Sequence, residues 1–292
     1  MNLEALIQTL VFGLFVGSLY GVAAIGLSLV FGVMKILNVA HGELMMLAGY
    51  VSYFAFSLFH IDPFISLFIS VPLLFLFGLL LDRVVYRYIH SLTGEAKIKN
   101  SLLVSFGLTL IFQALAIQFF TADERAIQTS YSGSGFNVGG VILPYTRIIS
   151  LIIILAAIGL LHWFLQRTMM GKAIRAAAED AEAANLAGIH IQQYYLFTMA
   201  LSAALAGLAG TLIIVGYGIT PTVGTVWLLR GLIVVVLAGT GSIFGTFGAG
   251  LLLGLVEAIS STIFGSASRE IVGLVMFLVV LVLRPQGLFG KK

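Results

Sequence analysis

"ALIQTLVFGLFVGSLYGVAAIGLSLVFGVM", residues 5–34, runs for thirty positions without Asp, Glu, Lys or Arg. An α-helix needs about 20 such residues to cross the hydrocarbon core of a bilayer, so this run decides the solvent in which the chain folds. Further charge-free runs follow at 63–81, 100–122, 148–166, 189–229 and 231–256. Of the 292 residues, 60% are hydrophobic and only 9% charged, and the mean hydropathy is +1.11. Soluble domains are about 25% charged; this composition cannot cover a water-facing surface. None of the runs alternates apolar with polar residues, which a membrane β-barrel requires over segments of about ten residues. The fold class is therefore an all-α polytopic membrane protein, expected as a single transmembrane domain over 1–292. The first run is too long for a signal peptide's apolar region and has no basic segment before it. Cysteine is absent, so neither a disulfide framework nor a thiolate metal site is available.

Turn and charge signals, "HIDP" (60–63), "TADER" (121–125) and "GSASRE" (265–270), cut the chain into about nine crossings within a range of 8–10. These fall near 6–33, 38–58, 63–86, 100–121, 147–166, 192–216, 228–240, 249–264 and 270–284. With the N-terminus outside, eleven of the fifteen basic residues reach the cytoplasm: Lys35, Arg83, Arg87, Lys97, Lys99, Arg167, Lys172, Arg175, Arg284, Lys291 and Lys292. Only Arg125, Arg147, Arg230 and Arg269 stay outside. The positive-inside rule therefore favours N-out and C-in.

Two connections stand out. Residues 121–146, polar and rich in Gly and Ser, read as an external loop or short hairpin. Residues 167–190 are internal, and from Lys172 to Ala187 they are strong helix formers apart from Asp180 and Asn185. Gly188 stands where a left-handed cap ends a helix. This predicts a cytosolic helix of about four turns over 172–188. Its small-residue surface, with few and discrete charges, suits a docking face for a cytosolic partner better than a solvated connector.

"NVAHGELMML" (38–47) places Asn38, His41 and Glu43 in apolar surroundings, where an ionisable side chain costs roughly 2.5–3.5 kcal/mol on insertion scales. In one reading Asn38 caps the second crossing, His41 bonds a neighbouring helix, and Glu43 profits from the helix dipole. In the other the three line a translocation path or a seam between two permease chains. Gly239, Gly241, Ser242 and Glu257 in the late Gly-rich segment are candidates for the same role.

The segment "GKAIRAAAEDAEAANLAGI" (171–189) resembles the cytoplasmic loop of branched-chain amino-acid ABC transporter permeases of the LivH type. "GLSLVFGVMKILNVAHGELMMLAGY" (26–50), "LAGTGSIFGTFGAGLLLGLVE" (237–257) and "LRPQGLFG" (283–290) are similar to other segments of that family, in the same order. Thr240 and Phe244 stand where the family usually has Gly and Pro. The resemblance implies a permease subunit of an ATP-driven importer in the bacterial inner membrane. Its implied partners are a homologous second permease chain, two cytosolic ATPases and a periplasmic binding protein. Branched-chain or other small apolar amino acids are the implied cargo, with urea or short amides as the alternative. The helix at 172–188 would then couple to the ATPases through Arg175, Glu182, Ala183, Ala184 and Gly188. ATP would be used by the partners, since no G-x-x-x-x-G-K-[ST] loop occurs in this sequence, and no cofactor, metal or nucleic acid is implied.

Two rival classes remain to be weighed. A proton-coupled secondary transporter could relay protons through His41, Glu43 and Glu257, with 239–250 as a broken helix. Its weakness is that it has no use for the cytosolic helix. An enzyme is disfavoured by inventory: the five histidines are scattered, and neither His-Glu-x-x-His nor Gly-x-Ser-x-Gly occurs.

Overall fold

The computed structural model describes residues 3–239 and 242–290. The long apolar run forms α1 (Leu3–Met34), followed by α2 (His41–Phe59), α3 (Leu67–Val84) and α4 (Gly94–Phe120). A hairpin of β1 (Gly135–Val138) and β2 (Val141–Pro144) leads into α5 (Tyr145–Arg167) and then α6 (Met169–Glu179) and α7 (Ala181–Leu186). The chain closes with α8 (Ile191–Gly216), α9 (Val223–Ala238), α10 (Ile243–Phe264) and α11 (Ser268–Leu283). Seven of these are long and apolar enough to cross a membrane: α1, α2, α3, α4, α5, α8 and α10. The other two expected crossings are helical but have only 16 residues each. At 1.5 Å per residue, about 24 Å, neither fills the ~30 Å hydrocarbon core alone.

Small residues bring the helices together, as expected where lipid removes the hydrophobic drive for association and close packing must replace it. Gly13 packs on Gly254 and Ala258, Gly17 on Gly250 and Leu251, and Gly21 on Phe247, so α1 and α10 run antiparallel with their backbones in contact. Gly78 of α3 meets Met199, Ala200 and Ala203 of α8. The α3–α8 pair is also joined by hydroxyls of Ser70 and Thr211 at 2.7 Å. Burial follows from this packing. The most apolar stretches of α1 and α8 are 72% and 78% buried, those of α4 and α5 only 17% and 22%, so α4 and α5 present their side chains outward.

The external connection is a hairpin, as the sequence allowed. Its turn residues Gly139 and Gly140 have φ of 59° and 84°, the left-handed values that a tight two-residue turn needs and glycine adopts without strain. Gln8 of α1 bonds both backbone groups of Ile142, and Tyr131 donates to Asp62 at 2.6 Å, so the connection between α4 and α5 is tied to α1 and to the α2–α3 turn.

The segment over 172–188, expected as one cytosolic helix, is not one helix but two. Asp180 leaves the helical conformation (φ −151°, ψ 104°) and its Oδ1 accepts from the backbone of Glu182 and Ala183. That is N-capping geometry, and it separates α6 from α7. Thr168 caps α6 in the same way through Gly171. Gly188, with φ 89°, stands just beyond α7, and the Ile189 amide donates back to Ala184, the closing bond of a Schellman motif.

The connection between α1 and α2 stays within the bundle. Lys35 ends α1 in a left-handed conformation, φ 55°, and residues 35–40 turn back into the protein instead of leaving it. His41 bonds Ala23 and packs on Gly26. Ala23 lies eleven residues from the end of α1, about 16 Å along the helix. The start of α2 therefore lies inside the helix bundle, well within the length of α1.

Candidate functional site

Two irregular segments of the chain, 35–40 and 217–222, deliver helix N-termini to the interior. The first is extended, and its exposed backbone groups need partners in a medium without water. Ser101 and Ser105 of α4 supply them: the Leu37 amide donates to Ser101 Oγ and Ser105 Oγ donates to the Leu37 carbonyl. The second contains Ile219, whose backbone pairs with Arg125 at 2.7 and 2.9 Å. Its side chain lies against Gly49 of α2.

The two N-termini meet back to back. Gly42 of α2 abuts Gly224 of α9, backbone against backbone, with Leu228 beside them. Neither terminus is capped by a side chain, since Ala40 and Thr222 make no such bond. Glu43 sits at this meeting point, 1% exposed. Its Oε1 accepts from Gln113 Nε2 of α4 at 2.9 Å, and the same amide group reaches Thr225 Oγ1 of α9 at 2.9 Å. Glu43 Oε2 has no hydrogen-bond partner. Gln113 is seven residues, about 10 Å, from the end of α4. The site thus lies about 10 Å from the C-terminal end of α4.

The three residues read from "NVAHGELMML" separate here. Asn38 does not cap α2; it is buried and its Oδ1 accepts from Tyr86 Oη at 2.8 Å, which fixes the extended segment to the α3–α4 connection. His41 is fully buried, with Nε2 at 3.2 Å from the Ala23 carbonyl and Nδ1 at 3.4 Å from Ser202 Oγ. It holds α1, α2 and α8 together. Glu43 alone is left with unmet bonding capacity.

Glu257 belongs to a different cluster. Tyr20 Oη donates to its Oε2 at 2.8 Å, and Arg230 Nε lies 3.9 Å from Oε1. Arg230 also approaches Glu270 of α11 at 3.8 Å and the Tyr20 ring at 5.6 Å. Arg230, expected outside, sits two turns into α9 and joins it to α1, α10 and α11. His41, Glu43 and Glu257 therefore have three separate sets of partners. No hydrogen bond links them among the described residues, which removes the geometric support for a relay through all three.

The Gly-rich candidates also find local roles. Ser242 caps α10 by accepting from the Gly245 amide at 3.0 Å. Gly239, φ 77°, ends α9 where the C-terminal segment returns, with the Leu288 and Phe289 amides donating to Leu237 and Ala238. Gly241 lies outside the described residues. The 245–250 stretch is regular helix packed on α1, and among the described residues irregular segments also occur at 35–40 and 217–222. The sequence signal for the second was "GITP" (218–221), a glycine and a proline inside a charge-free run.

On the cytosolic segment, Glu182, Ala183 and Gly188 are exposed and Ala184 is buried against the bundle. Arg175 Nε donates to the Leu165 carbonyl at 3.0 Å. It ties α6 to α5. Leu186, 90% exposed, and Met169, 79% exposed, are apolar additions to this face that composition alone did not single out.

Comparison with known proteins adds the family. Residues 9–283 match the family model for the branched-chain amino acid transport system permease component. The chain is 32% identical to the high-affinity branched-chain amino acid transport system permease protein BraD of Pseudomonas aeruginosa, covering 98% of this chain and 96% of that one. It is 29% identical to the LivH permease protein of Escherichia coli K12 over the same shares. It is 24% identical to the ribose import permease protein RbsC of Haemophilus influenzae, over 94% and 84%. No solved structure matches the chain.

Proposed function

The chain belongs to the branched-chain amino acid transport permease family, and from that premise we propose that it is the membrane-spanning subunit of an ATP-driven importer in the bacterial inner membrane. Its cargo is a branched-chain or other small apolar amino acid handed over by a periplasmic binding protein. A homologous second permease chain completes the pathway, and two cytosolic ATPases supply the energy. The observation that carries this reading is the match across residues 9–283 to a permease component.

The geometry supports it in two places. The α6–α7 segment lies between two long helices, α5 and α8, and exposes Glu182, Ala183 and Leu186. Coupling requires an element whose position both sites bias. Two capped helices with one face packed on the bundle and the other free meet that requirement. Ala184 is buried and supports α7 from within. The second place is the junction of α2 and α9, where paired helix N-termini inside the bundle provide a polar position on the path. Asn38 and His41 build the walls of that junction, and Glu43 faces into it.

The test is purification of the tagged chain from its native membrane in a mild detergent, followed by mass spectrometry of what accompanies it. Recovery of a second hydrophobic chain of similar size and of P-loop ATPases is the expected result. Recovery of the chain alone, together with ATP-independent uptake after reconstitution, would overturn the reading in favour of a secondary carrier.

A further inference from the structure

We infer that Glu43 holds the α-ammonium group of the cargo at the junction of α2 and α9, a site that rests on the permease reading and gives it a substrate contact. A carboxylate buried to 1% exposure with one oxygen unpartnered is costly to leave unmet. No Lys or Arg pairs with it among the described residues, and no cluster of three metal-ligating side chains is found among them. A role in fastening helices does not explain the unmet oxygen, because Asn38 and His41, five and two residues away, do that work with their polar atoms engaged.

The surroundings have the acceptors that a primary ammonium needs for its three donors. Glu43 Oε2 is the first. Gln113 uses its amide nitrogen on Glu43 and on Thr225, which leaves its carbonyl oxygen as the second. Thr225 Oγ1, on the exposed side of α9, is the third. The negative end of a zwitterion faces the first turn of α9, whose dipole favours an anion, although its Val223 and Thr225 amides are held by Thr220 and Thr222. Leu47 is one turn beyond Glu43 on the same face of α2. It also lines an apolar groove of about 640 Å³ with Tyr50, Phe54, Leu74, Phe77 and Phe120, a groove that Glu43, Gln113 and Thr225 do not themselves line. That wall is apolar except for the Tyr50 hydroxyl, and it accepts a branched aliphatic side chain. Ammonium and carboxylate thus each have a counterpart at the junction, and an apolar groove for the side chain begins one turn further along α2.

Trp227 lies in the first turns of α9, with its ring against Tyr20 and Tyr217, and it reports on this junction. The chain has one other tryptophan, Trp163. The experiment uses the full chain in lipid nanodiscs with Trp163→Phe, titrated with L-leucine, with 4-methylpentanoate, which lacks the ammonium, and with 3-methylbutylamine, which lacks the carboxylate. L-leucine is expected to shift Trp227 emission saturably, 3-methylbutylamine to do so more weakly, and 4-methylpentanoate not at all. Glu43→Gln is expected to raise the half-saturating L-leucine concentration at least tenfold. Glu43→Asp, which keeps the charge and controls for folding, is expected to keep it within about threefold. Equal responses to L-leucine and 4-methylpentanoate, an unchanged Glu43→Gln titration, no response to L-leucine, or a response to NaCl in its place would each overturn the assignment. Those failures leave the subunit reading standing if the ATPases co-purify. Loss of the ATPases with an intact L-leucine response would overturn only the subunit reading.

Discussion

Replacing Gly224 by alanine tests whether α2 and α9 are held in direct backbone contact. A Cβ at this position would lie 2.6 Å from the Gly42 carbonyl oxygen, 2.7 Å from its carbon and 3.0 Å from Glu43 Cδ. Ordinary contacts begin near 3.4 Å, so the two helix starts must separate by about 0.8 Å or tilt by an equivalent amount. Two of the three atoms are backbone and cannot rotate away. Overpacking of this kind costs about 1–3 kcal/mol, and here it also widens the pocket around the carboxyl group. We predict that Gly224→Ala inserts and can be purified, loses about 1–3 kcal/mol of resistance to unfolding in SDS–detergent mixtures, and transports several-fold more slowly. Gly32→Ala is the control: nothing lies within 4 Å of its Cβ, and removing a helix-interior glycine is worth about 0.5–1 kcal/mol in the stabilising direction. If Gly224→Ala matched wild type in both stability and transport, the helices would be free to slide. The backbone contact between α2 and α9 at Gly42 and Gly224 would then not hold the junction.

Other perturbations address the remaining parts. Glu182→Lys or Leu186→Asp on the exposed face of α7 should leave insertion and stability unchanged while separating ATP hydrolysis from uptake in the reconstituted assembly; intact coupling would remove α7 from that role. Asp180→Ala deletes the cap between α6 and α7, worth about 1 kcal/mol, and should speed amide exchange over 181–186 without altering exchange in α8. Arg230→Met leaves Glu257 buried beside Tyr20 without its cation and should destabilise by about 3–5 kcal/mol. The double variant Arg230→Met/Glu257→Met should recover most of the loss, and full additivity of the two single losses would show the groups to be uncoupled. Burial and then the hydrogen bond to Asp62 push the Tyr131 hydroxyl up to about 12. The neutral form is the one stabilised in the folded protein, so the tie between the α4–α5 connection and the α2–α3 turn is complete below about pH 10 and is lost as the pH rises toward 12. The difference spectrum of wild type against Tyr131→Phe should place this ionisation above that of a free tyrosine, and Asp62→Asn should lower it.

Much of this molecule could be read from one strand of text because its environment is lipid. Thirty uncharged residues at 5–34 admit a buried or membrane helix and little else, and the distribution of eleven of fifteen basic residues orients the set. Short polar punctuation such as "HIDP" and "GSASRE" marked the helix ends to within a few residues, and Gly188 marked the end of α7. These are local properties, fixed by composition and turn chemistry over spans of less than thirty residues.

Depth and partnership could not be read in that way. Hydropathy does not say that residues 35–40 re-enter the bundle, because an unwound segment is tolerable there only once Ser101 and Ser105, more than sixty residues later, satisfy its backbone. Asp180 looked like a helix-neutral residue within a four-turn helix, yet its side chain competes for backbone amides and divides the segment in two. Asn38, His41 and Glu43 are equivalent in the sequence as polar interruptions. Only Tyr86, Ala23, Ser202 and Gln113, brought in by four other segments, distinguish the two that fasten the fold from the one with an unmet oxygen. Helix-forming apolar runs are decided within a span and so are legible along it. The hydrogen-bond partner of a buried polar atom is decided by which helices touch, and that is a property of the tertiary structure alone.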